Sequence, residues 1–205
     1  MAAQTNQTPQ IERRYISESA EVRKREDGTN EIFGYALKWD VRYDMGWFSE
    51  SIDRNALEGA NMKDVRVLLN HDPNIILGRT TAGTAEVGTD ETGMWYRAIL
   101  PNSPNGENVR VALERGDINQ SSWAFYTRVS EDGNGDKWDR VNGKDHRTIL
   151  KVREVVDASP VTYPANPDTT AARRSRDFVG QIEEREEIET NEKELAEAEA
   201  LMLFI

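Results

Sequence analysis

The sequence predicts a mainly β domain with short helices, and three features lead to this prediction. Short segments rich in β-branched and aromatic residues recur between Ile11 and Tyr163. Clusters of Gly, Asn, Asp and Pro separate these segments, as they do between neighbouring strands. Only two stretches in this region favour a helix. In chain order, the predicted strand segments are "IERRYIS", "EIFGYALKWD", "VRVLLN", "GMWYRAIL", "SSWAFYTRV", "TILKVREVV" and "SPVTYP".

The segments between them have the chemistry of turns, as in "EDGTN", "DPN", "PNSPNG" and "EDGNGD". The first helical stretch, "SIDRNALEGANM" at residues 51–62, begins with Ser51 and Asp53 as caps and continues with good helix formers. The second, "SPNGENVRVALERGD" at residues 103–117, carries a short apolar face. Both are predicted to connect strands and to pack against the sheet. The apolar face of the second consists of Val109, Val111, Ala112 and Leu113.

The chain has 205 residues, enough for one domain of the usual size with appendages. We place this domain at residues 11–170, after a polar leader at residues 1–10 that is predicted to be disordered. Residues 171–205 contain 10 acidic and 5 basic residues, which predicts an acidic tail that is helical or disordered. The sequence leaves open whether this tail docks on a partner or has no specific role.

The formal charge of −11 disfavours a nucleic-acid-binding surface, because such surfaces need basic residues to replace the counterions of phosphates. Basic peptides or proteins are the more natural partners. The absence of cysteine excludes disulfides, thiolate metal sites and a cysteine nucleophile. No segment resembles a signal peptide, and none reaches the roughly 18 apolar residues of a membrane span. We therefore expect a soluble intracellular protein with no nucleic-acid or membrane partner.

Three residues are candidates for chemistry. His71 follows an apolar strand in "VRVLLNHDPNIILGRT". Ser122 lies near the start of the predicted strand "SSWAFYT", whose next residues are mostly bulky and apolar. Asp157 interrupts an apolar strand in "REVVDASPV". Each also has an ordinary interpretation: a turn histidine, a serine at a strand start, or an edge aspartate facing water. The separations of 51 and 35 residues permit a serine, histidine and acid system without establishing it, because such systems are defined by geometry. A metal-dependent hydrolase is poorly supported, since two histidines without an HExxH spacing offer too few ligands.

Three blocks, taken in order, resemble a known family. "VLLNHDPNIILGRT", "GDINQSSWAFYT" and "VVDASPVTYPANPDT" are similar to the signature blocks of the tailed-phage prohead maturation proteases, serine proteases related to herpesvirus assemblin. The similarity covers roughly residues 11–170. The resemblance implies an antiparallel β-barrel like that of assemblin. It also implies Ser122 as nucleophile in "SWAF", with Ser121 in the position before it, and His71 as general base.

The third catalytic member is less clearly matched. The pattern "DAS" implies Asp157, although the family more often has glutamate there, and Pro160 departs from the usual apolar residue. Assemblins use a second histidine instead, so His146 is the alternative third member. Assemblins have arginines after their third member to bind the oxyanion, and "YPANPDT" has none. Backbone N–H groups near Ala165 and Asn166 are therefore the expected oxyanion donors.

The resemblance implies a serine endopeptidase that needs no cofactor or metal. Its expected substrates are the scaffolding segment of the major capsid protein or a separate scaffold protein, together with the protease chain itself. Its expected place is inside the immature procapsid in the host cytoplasm, with self-association into a homo-oligomer left open. The alternative is a non-enzymatic capsid-assembly protein on the same fold that acts through its acidic tail.

Overall fold

The computed structural model describes residues 11–18, 20–127 and 135–163. All of them belong to the first of two units of the chain, Met1–Asp168, and the second unit, Thr169–Ile205, lies outside the described residues. The predicted leader at residues 1–10 and the predicted acidic tail at residues 171–205 also lie outside them. No helix of the described ranges is long and apolar enough to cross a membrane.

The first sheet has five strands, and its interior strands contain the candidate serine and aspartate. The edge strand β1 alternates buried and half-buried residues, because only one of its faces meets the core. The next strand, β10, is almost continuously buried, since it has neighbours on both sides. In spatial order the strands are β1 (Glu12–Ile16), β10 (Gln120–Thr127), β13 (Val152–Val161), β6 (Arg66–Leu69) and β7 (Asp72–Arg79).

Two further sheets of four strands each complete the described structure. The second sheet runs in the order β11 (Asp136–Val141), β12 (Lys144–Ile149), β5 (Phe48–Ile52) and β4 (Tyr43–Asp44). The third sheet runs in the order β2 (Glu21–Lys24), β3 (Asn30–Lys38), β9 (Gly93–Ile99) and β8 (Ala85–Thr89). The prediction of a mainly β fold is therefore confirmed.

The predicted closed barrel is wrong for the described residues, because each of the three sheets has two free edges. The pairing is also not wholly antiparallel, since β12 pairs with β5 and β13 pairs with β6 in parallel. Short strands separated by turns are equally typical of barrels and of packed open sheets. Closure depends on whether edge strands meet, which is a long-range property that strand patterns do not report.

One of the two predicted helices is present. Helix α1 (Pro104–Arg115) begins after Ser103, whose side chain accepts a hydrogen bond from the Gly106 N–H at 3.4 Å, and it ends at Gly116 in the left-handed conformation. The helix predicted at residues 51–62 is wrong. Its first residues complete β5, and a series of turns follows.

The physical reason is visible at the start of this segment. The Asp53 carboxylate accepts a hydrogen bond from the backbone N–H of Asn55, two residues on, at 2.8 Å. The backbone N–H groups of Ala56, Glu58 and Ala60 then donate to carbonyls three residues back, so the segment forms successive turns in place of an α-helix with bonds four residues back. Gly59 then adopts a positive φ of 72°, which ends any continuation of a helix.

The hydrophobic core lies on the inner face of the first sheet. Trp123 and Phe125 of β10 stack with ring centroids 3.9 Å apart, and both are fully buried. Val67 and Ala158 from the neighbouring strands and Tyr96 from β9 belong to the same cluster. Full burial of an aromatic side chain of this size contributes roughly 1.5–3 kcal/mol. The inner face of β10 is thereby anchored, and its other face is free to carry chemistry.

A buried ion cluster attaches β1 to the second sheet. It contains three carboxylates and two guanidinium groups, all nearly inaccessible to solvent. Arg14 donates to Glu12 and Glu50 at 2.7 Å each, and Arg147 donates to the same two carboxylates at 2.6 and 3.1 Å. Arg147 also pairs with Asp136. The buried ion cluster is thus formed by Glu12, Arg14, Glu50, Asp136 and Arg147.

The cluster remains charged although it is buried. Burial alone would raise the pKa of Glu12, but the charges of Arg147 and Arg14 and their hydrogen bonds outweigh it and lower this pKa to about 2. Removing one partner from such a cluster typically costs about 3–5 kcal/mol, because the remaining charges are left buried without compensation. The cluster therefore links β1 to strands β5, β11 and β12 of the second sheet.

Candidate active site

His71 lies in a tight turn between β6 and β7. Leu69 pairs with Asp72, so Asn70 and His71 form a two-residue hairpin loop. Both have positive φ angles, 55° and 58°, as a type I′ turn requires. A left-handed conformation is unfavourable for a histidine, so the surrounding contacts must hold it. The turn predicted from "DPN" is displaced by two residues, since Asp72 already begins β7.

Asn70 attaches this turn to the end of β13. Its side-chain Oδ1 accepts hydrogen bonds from the backbone N–H of Thr162 at 2.8 Å and from the Thr162 hydroxyl at 3.1 Å. Its own backbone N–H donates to the carbonyl of Pro160 at 3.1 Å. Because Asp157 lies in the same strand, these bonds fix the imidazole of His71 relative to that carboxylate.

The two adjacent serines of β10 have opposite orientations. Ser121 faces the core, where its hydroxyl lies 2.9 Å from the hydroxyl of Tyr96. Ser122 faces the other side of the sheet, opposite Tyr15 on β1 and Ser159 on β13. Successive side chains of a strand alternate between faces, so only one of the pair reaches the imidazole.

Asp157 lies on the same face of the sheet as Ser122. It is two residues before Ser159, which is the cross-strand neighbour of Ser122. In the register of β10 and β13, Ser122 pairs with Ser159 and Ala124 pairs with Asp157. The hydroxyl of Ser159 donates a hydrogen bond to Asp157 Oδ1 at 2.7 Å. A buried carboxylate requires such donors, and Ser159 supplies one of them.

The structure brings His71, Ser122 and Asp157 together. His71 Nε2 lies 2.8 Å from Ser122 Oγ, and His71 Nδ1 lies 2.6 Å from Asp157 Oδ1. The side chains of His71 and Asp157 are only 8% and 6% exposed, so water weakens their interaction little. A carboxylate can only accept, which assigns the proton of neutral His71 to Nδ1 and leaves Nε2 free to accept.

The hydroxyl of Ser122 has a second acceptor within reach. Its Oγ lies 2.9 Å from the backbone carbonyl oxygen of Arg14 in β1. A hydroxyl carries one proton, so this carbonyl and His71 Nε2 compete for it. Since the buried ion cluster holds Arg14, the second sheet influences where the hydroxyl of Ser122 points.

His146, the alternative third member, lies in a different part of the fold. It belongs to β12 of the second sheet, and its two ring nitrogens contact the hydroxyls of Ser49 at 2.8 Å and Ser51 at 2.9 Å. Burial, followed by the charge of Arg42, lowers the pKa of His146. Both ring nitrogens of His71 have other partners, so the structure does not bring the two histidines together.

The remaining predictions for the site concern the oxyanion donors and metal binding. Ala165 and Asn166, the expected oxyanion donors, lie outside the described residues. Within the described part of the chain, no group of three or more acidic or histidine side chains is placed to hold a metal ion.

Sequence reasoning missed Asn70 and Ser159 as supports of the site. The period of two along a strand could have placed Ser159 on the face of Asp157. An asparagine before His71 could have indicated the left-handed turn, because asparagine tolerates that conformation better than most residues. Which residue the side chain of Asn70 contacts is not encoded in any local pattern.

In serine hydrolases, a serine hydroxyl contacts an imidazole, and that imidazole contacts a carboxylate. Ser122, His71 and Asp157 have the same arrangement. A family model described as Caudovirus prohead serine protease matches residues 18–182. The chain therefore belongs to the prohead serine protease family, and it is a serine protease. Among solved structures, the capsid assembly protease of bacteriophage T4 matches with 14% sequence identity and a TM-score of 0.45, over 75% of this chain and 99% of that one. A search of curated proteins found no match.

Proposed function

We propose that Ser122, His71 and Asp157 are the catalytic triad of this protease. We further propose that it cleaves the scaffolding segment of the capsid protein, or a separate scaffold protein, during prohead maturation, and that it also cleaves itself. The observation that carries the proposal is the position of His71, whose two ring nitrogens contact the Ser122 hydroxyl and the Asp157 carboxylate. This is the geometry that general-base activation of a serine needs.

The first chemical step is the attack of Ser122 Oγ on a peptide carbonyl carbon. As this bond forms, the hydroxyl proton passes to His71 Nε2, which is 2.8 Å away and unprotonated in the neutral ring. The hydroxyl must first turn from the carbonyl of Arg14 toward His71. His71 then gives the proton to the leaving amine, and water repeats the sequence on the acyl-enzyme with His71 again as base.

Asp157 acts on the imidazole. It keeps the proton of the neutral ring on Nδ1 and stabilises the positive charge that develops when Nε2 is protonated. Ser159 donates to the same carboxylate oxygen that contacts His71, so it orients the carboxylate without neutralising it. His146 has no part in this mechanism.

Confinement suits such an enzyme to its substrate. A protease enclosed with scaffold in an immature shell meets its substrate at a high effective concentration, so weak binding of the cleavage site is sufficient.

For self-cleavage we propose residues 1–10 and 171–205 as the cut regions, because polar or strongly charged terminal segments are common sites of proteolysis. The negative charge of the chain is compatible with recognition of basic protein segments.

The test compares Ser122→Ala with Ser121→Ala. The two variants remove the same atom from adjacent residues, and only the first removes the hydroxyl that contacts His71. Each variant is produced with the capsid precursor, and the products are identified by mass spectrometry. We expect Ser122→Ala to remain folded and to cleave neither the precursor nor itself, whereas folded Ser121→Ala cleaves both.

Three results would contradict all or part of the proposal. Normal processing by Ser122→Ala would mean that another residue is the nucleophile. Cleavage of added peptides without any cleavage of the capsid precursor or scaffold would retain the triad and reject the proposed substrate. Wild-type protein that stays intact and still supports assembly would favour the alternative, a non-enzymatic role in assembly.

A further inference from the structure

The strand β1 presents Arg13 beside the proposed nucleophile, on the same face of the sheet. Arg13 pairs with Ala124 across the sheet, and Tyr15 pairs with Ser122. Directly paired residues of neighbouring strands point to the same face. Arg13 therefore shares the face that carries Ser122 and Asp157, whereas the side chains of the buried ion cluster on β1 point to the other face.

The Nε atom of Arg13 is buried and makes no hydrogen bond with the described residues. The adjacent Arg14, in contrast, is paired with two carboxylates. An unsatisfied charged donor is costly, so it needs a functional or structural reason. A ligand that supplies the acceptor would be such a reason.

The order of strands determines the side of Ser122 on which a substrate oxygen lies. His71 approaches Ser122 Oγ from the side of β13, because its other nitrogen contacts Asp157 in that strand. The leaving nitrogen of a peptide must face His71 to receive its proton. The carbonyl oxygen of the same peptide bond is then directed away from His71, toward β1 and Arg13.

Only a small, fully buried side chain separates Arg13 from Asp157. Ala124 lies between Arg13 and Asp157 in one row across three strands, and its side chain is a single methyl group. Diagonal neighbours in an antiparallel pair, such as Arg13 and Ser122, are about 7–8 Å apart. An arginine side chain spans a distance of this order, so its guanidinium can reach an atom bound next to Ser122 Oγ.

We propose that Arg13 donates a hydrogen bond to the oxygen of the scissile carbonyl and is a further catalytic residue. This inference rests on the proposed roles of Ser122 and His71. When Ser122 Oγ bonds to the carbonyl carbon, the electron pair of the C=O π bond moves to the oxygen, and the hydroxyl proton moves to His71. Arg13 stabilises the resulting negative charge and keeps all of its own protons.

The first experiment measures kcat and KM for Arg13→Ala, Arg13→Lys and Arg13→Met with a quenched-fluorescence peptide that carries a cleavage site of the capsid precursor. Loss of one oxyanion donor typically lowers kcat by about 10²- to 10³-fold. We expect such a fall for the alanine and methionine variants, a smaller fall for lysine, and little change in KM. Arg23→Ala is the matched control, because Arg23 lies on β2 over the ring of Phe33, and its activity should not change.

Two further measurements separate catalysis from structural or binding roles. Added guanidinium at millimolar concentration should restore part of the kcat of Arg13→Ala and none of that of Arg23→Ala. On the inactive Ser122→Ala background, the uncleaved peptide should bind equally well with and without Arg13→Ala. A thermal melt of each variant reports whether it is folded, and Arg13→Met retains the apolar stem of the side chain if the alanine variant does not fold.

The proposal is overturned if folded Arg13 variants retain normal kcat. It is also overturned if they raise KM alone and only for peptides with acidic residues, since Arg13 would then bind a substrate carboxylate. The same assay includes Ser122→Ala. An active Ser122→Ala variant refutes the proposed function itself, whereas an inactive one together with fully active Arg13 variants refutes only the role of Arg13.

Discussion

The substitution Asp157→Asn tests how much the negative charge behind His71 contributes. Asp157 Oδ1 receives the hydrogen bonds from both His71 Nδ1, at 2.6 Å, and Ser159 Oγ, at 2.7 Å. An amide oxygen in the same place can accept both bonds, so the ring can keep its orientation and its protonated Nδ1. What the variant loses is the charge that stabilises the imidazolium in the transition state.

The expected magnitude follows from this geometry. A hydrogen bond of 2.6 Å places the centres of the imidazolium and carboxylate charges at roughly 4 Å, where two unit charges attract by about 4 kcal/mol at an effective dielectric constant of about 20. One decade of rate corresponds to about 1.36 kcal/mol of activation free energy. We therefore expect kcat to fall by about 10³-fold. If the introduced amide rotates and forces the proton onto Nε2, the fall should approach about 10⁴-fold.

The assay is single-turnover cleavage of a quenched-fluorescence peptide, so that product release does not mask the chemical step. Glu154→Gln is the matched control, since Glu154 lies in the same strand and contacts only Asn61 among the described hydrogen bonds. His146→Ala is the second comparison, and its rate per folded molecule should equal that of wild type. A fall of less than tenfold for Asp157→Asn would refute the reasoning, as would an equally large fall for His146→Ala.

The turn, the inner face of β10 and the buried ion cluster allow similar tests. Asn70→Ala should lower kcat about tenfold with KM unchanged, because a loosened turn misplaces the imidazole of His71. Asn70→Asp keeps the acceptor oxygen, so its kcat should stay near that of wild type. Equal losses of kcat in both variants would exclude the loosened turn as the cause. Ser121→Ala should lower the free energy of unfolding by about 1–3 kcal/mol in urea titrations, because the buried Tyr96 hydroxyl loses its partner; an unchanged midpoint would contradict this. Burial raises the pKa of Glu12, but Arg147 and Arg14 lower it to about 2, so its contribution to stability is present above about pH 4.5 and is lost as the pH falls toward 2. In urea titrations, the free energy of unfolding of the wild type should fall by about 3 kcal/mol over this pH range, and that of Glu12→Gln should not. An equal fall in Glu12→Gln would mean that other carboxylates cause it.

Local chemistry predicted part of the secondary structure. The segment "IERRYIS", rich in β-branched and aromatic residues, contains β1, and the predicted helical stretch at residues 103–117 contains α1. The same type of reasoning was wrong at residues 51–62. There the Asp53 side chain bonds to the Asn55 N–H, as a helix cap does, but the backbone continues in turns with bonds three residues back, and the sequence does not distinguish these two continuations.

The sequence also identified the residues of the candidate site, through the three blocks that resemble the prohead protease family. It favoured Asp157 over His146 as partner of His71, through the pattern "DAS", and kept His146 as the alternative. Both follow Ser122 in the chain, and each is compatible with a known variant of the catalytic arrangement. The structure separates them, since β13 lies beside β10 in the first sheet while β12 lies in the second sheet.

The sequence by itself thus determined the β-rich composition, the helix within residues 103–117 and the candidate residues, because these depend on neighbours a few positions apart. Only the tertiary structure decided that the sheets are open, that Asn70 anchors the turn of His71, and that Arg13 lies on the face of Ser122. Those features depend on strand order and register between segments far apart in the chain, as for Arg14 and Ser122, which are 108 residues apart. The free energies that select such pairings arise from packing the whole domain, so no local pattern contains them.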